Sequence, residues 1–139
     1  YLGSLAWGGA MFAAARTARI RTDLVNTGIA VAVALATIFY VRSPFGIGFG
    51  VLFSLVLLWA ARRGGGGLNR GILLTLGLTS SLYAILDIKS DVLDRPELRS
   101  DAAMLADITG VPTVVWGFLW IGVAVAFSAR MLWRAYQKA

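Results

Sequence analysis

The chain has 139 residues, 58% hydrophobic and only 14% charged, with no cysteine, no histidine and a formal net charge of +6; its mean hydropathy is +0.75. Soluble domains carry roughly 25% charged residues, so this composition belongs in a membrane, and the missing Cys and His exclude disulfides, thiolate or imidazole catalysis and any Cys or His metal ligand from this chain. The basic residues sit at the ends of apolar runs, which marks membrane flanks and argues against nucleic acid as a partner.

In chain order, residues 1 to 15 are apolar and end at Arg16, Arg19 and Arg21. A full crossing needs roughly 20 residues, so this reads as a span whose beginning is missing. The stretch lacks a basic leader and a cleavage site, so it is read as the inside of a longer protein and not as a signal peptide. Thr22 or Asp23 can cap a second span over 24–41, closed by Arg42, Ser43 and Pro44. Gly28, Ala32 and Ala36 recur within it at four-residue spacing, as Gly46, Gly50 and Ser54 do in a third span over 45–61. Such rows let helix backbones approach, so spans two and three are expected to pack through them. Arg62, Arg63 and four glycines at 64–67 read as a flexible link, not a phosphate loop, since no Gly-Lys-Ser/Thr follows.

A fourth span over 68–94 must end before Pro96, which disfavours helix at the preceding residue. Ser100 can cap a short surface helix that Gly110 closes, and Pro112 suits the first turn of a fifth span over 112–134. Trp116, Trp120, Trp133 and Tyr136 suit aromatic belts at the two membrane faces. The predicted fold is thus an all-α polytopic integral membrane protein: about five transmembrane helices plus a short surface helix, in one domain over 1–139. Its environment is the lipid bilayer of a cell membrane. Nine Lys and Arg (16, 19, 21, 62, 63, 70, 130, 134, 138) fall on one side against four (42, 89, 95, 99) on the other. The positive-inside rule then makes the C-terminus cytoplasmic and turns the acidic segment outward.

Six of the seven acidic residues lie between Ser80 and Asp107. At 100° per residue, Asn69, Ser80, Tyr83, Asp87, Asp91 and Asp94 share one stripe of a continuous helix, with Lys89 opposite. Asp87 and Asp91, one turn apart, can act as acid and base, bind a cation, or form a solvated helix end. Asp87 follows the apolar run Leu82 to Leu86 and has Ser80 and Tyr83 on its own face, so either a functional role or a structural hydrogen bond fits it. An intramembrane aspartyl protease would need aspartates on two separate spans, and the other spans hold none in their apolar cores.

At these positions the chain resembles a known family. Tyr83-Ala-Ile-Leu-Asp87, Asp91, Ser100-Asp101-Ala102, Gly110, Pro112, Trp116-Gly117 and Trp120 resemble the C-terminal half of the site-two-protease-like membrane zinc metallopeptidases, in their compact bacterial and fungal branch. Tyr1-Leu2-Gly3 and Gly8 resemble the helix that follows the zinc-binding helix there. The resemblance implies a His-Glu-x-x-His helix carrying two zinc ligands and a general base, with a carboxylate from a later span completing the site. The matching position is Asp87, with Asp91 as second choice. No His-Glu-x-x-His occurs in this sequence, and Ile88 follows Asp87 where the better-known branch has glycine. The leading expectation is therefore a metallopeptidase-like membrane part, inactive alone, with zinc only if further ligands come from outside this chain. The alternative is a non-catalytic accessory subunit packed against a larger membrane complex. A small transporter using the aspartates is weaker, for want of an internal repeat or broken helices.

Overall fold

The computed structural model describes residues 2–94 and 100–137, without the side chain of Leu93. Arg95, Pro96, Glu97 and Arg99, where the fourth span was expected to stop, lie outside the described residues, as do Tyr1 and Lys138. The described residues form six α-helices: α1 (Leu2–Arg16), α2 (Thr22–Tyr40), α3 (Pro44–Arg63), α4 (Gly65–Ile88), α5 (Asp101–Thr109) and α6 (Thr113–Tyr136), with a π-turn over Lys89–Leu93 prolonging α4. Among the described residues four segments are long and apolar enough to cross a membrane: Thr22–Tyr40, Pro44–Arg63, Gly65–Val92 and Thr113–Tyr136. At 15 residues, α1 falls short of a crossing.

Polarity is distributed as a lipid solvent demands. Large apolar side chains such as Ile38, Phe39, Leu52 and Phe118 are exposed, while Asn26, Asn69 and Ser81 are fully buried. Most of the polar groups within the spans are turned inward, where Asn26, Asn69 and Ser81 find hydrogen bonds, and the apolar exterior costs nothing in lipid.

The chain divides into two compact units, residues 13–75 and residues 1–12 with 76–139. In the first, α2 and α3 pack as a hairpin joined by residues 41–43. Ser43 caps α3 by accepting from Gly46 N–H at 3.1 Å, and Pro44 takes its first position. The α3 row is used as expected: Gly50 and Ser54 are buried with Leu57 and Ala60. The α2 row is not. Gly28, Ala32 and Ala36 are exposed, and the buried face of α2 is Thr22, Asn26, Ala30 and Thr37. A span apolar on all sides does not declare its packing face; here the polar residues Asn26 and Thr37 mark it. Nor does Thr22 or Asp23 cap α2: Arg21 holds the cap position without a side-chain bond and pairs with Asp23 at 2.8 Å.

The glycine link is also shorter than expected. Gly64 closes α3, Gly65 turns the chain with φ +65°, and Gly66 and Gly67 are already helical. Asn69 holds this break together. Its amide donates to Ala60 O at 3.1 Å and to Gly65 O at 2.9 Å, while its Oδ1 accepts from Asn26 Nδ2 at 2.7 Å. Three helix ends are thereby tied by one buried amide pair.

In the second unit, α1 meets the C-terminal part of α4 backbone to backbone. A Cβ on Gly8 would stand 2.6 Å from Gly77 O, and one on Gly77 would stand 2.7 Å from Gly8 O. Only glycine permits that approach. The core beside it comprises Leu5, Ala84, Ile88, Val92, Ala102, Trp120 and Ala124. Ser100 caps α5 by accepting from Ala103 N–H at 3.2 Å, and Gly110 closes it at φ +72°, both as the sequence indicates. Trp120 is buried in this core, whereas Trp133 and Tyr136 are exposed.

Candidate functional site

The last turns of α4 carry the aspartate singled out by sequence. Up to Ile88 the helix is regular, so Ser80, Tyr83 and Asp87 share a face that flanks the fully buried Ala84 and Ile88. Ser80 is committed elsewhere: its hydroxyl donates to Ser4 O on α1 at 2.9 Å. This bond, two turns before Asp87, adds to the Gly8–Gly77 crossing in setting how α4 lies against α1. Tyr83 is 60% exposed and Leu86 58%, and Asp87 beside them in the helix is exposed too. Asp87 thus presents a carboxylate outward among apolar neighbours, not toward the core of its own unit.

Beyond Ile88 the expected stripe is broken. Asp94 N–H donates to Lys89 O at 3.0 Å, five residues back, in place of the α-helical four. That wider turn brings Lys89 and Asp94 to the same side, where Nζ and Oδ2 pair at 2.9 Å. An unbroken α-helix would set them on opposite sides. Asp94 is therefore neutralised by a lysine that extrapolated helix geometry placed away from it. Asp91 is half-buried inside the π-turn and has an interaction of its own. Val92 keeps the core contact, fully buried one position set beyond Ala84 and Ile88. π-Turns inside membrane helices often mark functional sites.

Among the described residues no three His, Cys, Asp or Glu side chains converge closely enough to hold a metal. Asp101 and Asp107, on α5, are exposed. Asn69, placed on the acidic stripe by its helical phase, lies near the start of α4 and serves the Asn26 pair instead. The chain's described carboxylates thus offer single ligands and no complete site.

Two features escaped sequence reasoning. The Asn26–Asn69 pair had one signal, an amide within two turns of an arginine-flanked end in each of two apolar helices. The Gly8–Gly77 crossing had no periodic row to announce it. Compared with known proteins, the sequence model of the Peptidase M50B-like family matches residues 1–131. A search of the curated proteins found no match, and neither did a search of the solved structures.

Proposed function

The chain belongs to the Peptidase M50B-like family, and from that premise we propose that it is the membrane part of a zinc metallopeptidase-like protein that contributes Asp87 to a metal site completed from outside this chain. The observation that carries this reading is the outward Asp87 carboxylate, exposed along with Tyr83 and Leu86 near the end of a membrane-length helix. A carboxylate in apolar surroundings is costly unless a cation or donors are brought to it. Asp91 is the second choice, being half-buried and already engaged.

Zinc held by three protein ligands supplies a Lewis acid and an activated water. The residues described do not by themselves fit such a centre, and the sequence has no histidine to serve as ligand or base. No catalytic step is therefore assigned to this chain, which in this reading hydrolyses no peptide alone. The excess of basic residues at and after the end of α1, around the α3–α4 connection and toward the end of α6 supports a cytoplasmic C-terminus.

One observation favours a second reading, an accessory subunit in a larger membrane complex. The Gly28, Ala32 and Ala36 row faces outward, open to a helix from another chain.

The test is Asp87→Asn in a longer protein that also carries a His-Glu-x-x-His helix. Bound zinc and cleavage should both fall while the melting temperature holds, and Asp94→Asn should change neither. Stoichiometric zinc with full cleavage after Asp87→Asn removes the ligand assignment and moves the question to Asp91. If no such helix accompanies the chain, an effect of Asp87→Asn on assembly alone supports the accessory reading.

A further inference from the structure

Along α3, Phe45, Phe49 and Phe53 recur every four residues and stack in sequence. Their ring centroids lie 6.4 and 6.2 Å apart, with interplanar angles of 18° and 20°. Phe45 is 84% exposed and Phe49 61%. The three rings make one stiff strip, roughly 12 Å long at the helical rise. Each ring restrains the next, so a chain lying along the strip immobilises little that was free.

Just before the strip stands Arg42, exposed, with Tyr40 83% exposed beside it in sequence. No acidic residue occurs between Asp23 and Asp87, so the α2–α3 hairpin offers Arg42 nothing to neutralise it at this end. An arginine at a membrane boundary keeps its stem in the apolar layer and its guanidinium at headgroup level. There it matches phosphate with two parallel hydrogen bonds, and a tyrosine hydroxyl suits the same depth.

We propose that Arg42, Tyr40 and the Phe45–Phe49–Phe53 strip form a seat for one anionic phospholipid. The headgroup phosphate meets Arg42 and an acyl chain lies along the rings. A zwitterionic lipid also brings phosphate, but its own cation competes with Arg42, so net negative charge is selected. The seat lies wholly within the α2–α3 hairpin and does not rest on the metallopeptidase reading.

The experiment places the photoreactive residue benzoylphenylalanine at position 49 of the otherwise intact protein, in vesicles of phosphatidylcholine with a minority of phosphatidylglycerol. Adducts are identified by mass spectrometry. Phosphatidylglycerol should be enriched about fivefold over its share of the vesicle, the weight of one arginine at an anionic surface. Arg42→Gln should return the adducts to vesicle composition. A probe at Phe118 on α6, similarly exposed at 63%, should follow vesicle composition throughout. Adducts at position 49 that follow bulk composition, that are mainly to protein, or that stay enriched in Arg42→Gln overturn the proposal. Equal enrichment at position 118 does so too.

Discussion

Gly50 is the position where packing and helix propensity pull hardest against each other. A Cβ there would overlap the Thr37 hydroxyl and stand 2.9 Å from Thr37 Cγ2 and 3.1 Å from Thr37 Cβ. Thr37 cannot simply turn away, because its hydroxyl donates to Val33 O at 2.7 Å on its own helix. Forcing an extra carbon into a packed interface costs about 1–3 kcal/mol. Replacing glycine by alanine inside a helix returns about 1 kcal/mol. Breaking the Thr37 bond adds about 0.6 kcal/mol in a membrane protein. Gly50→Ala should therefore destabilise by about 1–2 kcal/mol, whereas Gly71→Ala, with nothing within 4 Å of its Cβ, should stabilise by up to about 1 kcal/mol. Gly50→Leu should exceed Gly50→Ala. Adding Thr37→Ala removes the hydroxyl and the methyl from the collision and should recover most of the loss. The assay is reversible unfolding in mixed detergent micelles, read as a double-mutant cycle over positions 37 and 50. Equal effects of Gly50→Ala and Gly71→Ala, or a second substitution that merely adds its own cost, would refute the packing argument.

Asn69→Leu removes the donors to Ala60 O and Gly65 O and leaves the fully buried Asn26 amide only its 3.1 Å bond to the backbone carbonyl of residue 69, so it should cost about 1–3 kcal/mol in the same unfolding assay. Asn26→Leu with Asn69→Leu should cost less than the sum of the single changes, because their shared 2.7 Å bond is counted in both. For orientation, single cysteines at Gly65 and Gln137 should be shielded from an impermeant thiol reagent in intact cells while one at Asp101 reacts; the reverse pattern would invert the proposed topology.

The local punctuation of this fold is legible in its sequence because it acts over a few residues. Ser100 and Gly110 each satisfy or release a particular backbone group as expected, and Ser43 with Pro44, read as the close of α2, also opens α3, whereas the cap expected at Thr22 or Asp23 does not form. The packing faces are less legible. In water an apolar stripe against a polar one names the buried face, but α2 is apolar nearly all round, so its four-residue row of small residues competes with the Thr22–Asn26–Ala30 face on even terms. What decides is that Asn26 and Thr37 need to leave the lipid. The same criterion finds Asn69 and Ser81, both fully buried. In a membrane chain the informative residues are thus the few polar ones within the spans, ahead of the many small ones.

That criterion also separates the aspartates. Asp87 is on the last regular turn, so its phase can be extrapolated from Ser80 and Tyr83. Asp91 and Asp94 come after the ladder changes from four residues to five, where extrapolated phase loses its meaning. The change follows from what the segment must bury. Ala84, Ile88 and Val92 all keep contact with the core beside Trp120, a spacing of four that a straight α-helix carries progressively off its face. Widening one turn returns Val92 to that face and brings Lys89 within reach of Asp94. The acidic run therefore divides by chemistry: Asp94 is paired, Asp91 is engaged within the turn, and Asp87 is left presenting a carboxylate outward from an apolar helix. Of the two candidate ligands it is the one whose surroundings within its own unit least account for its charge.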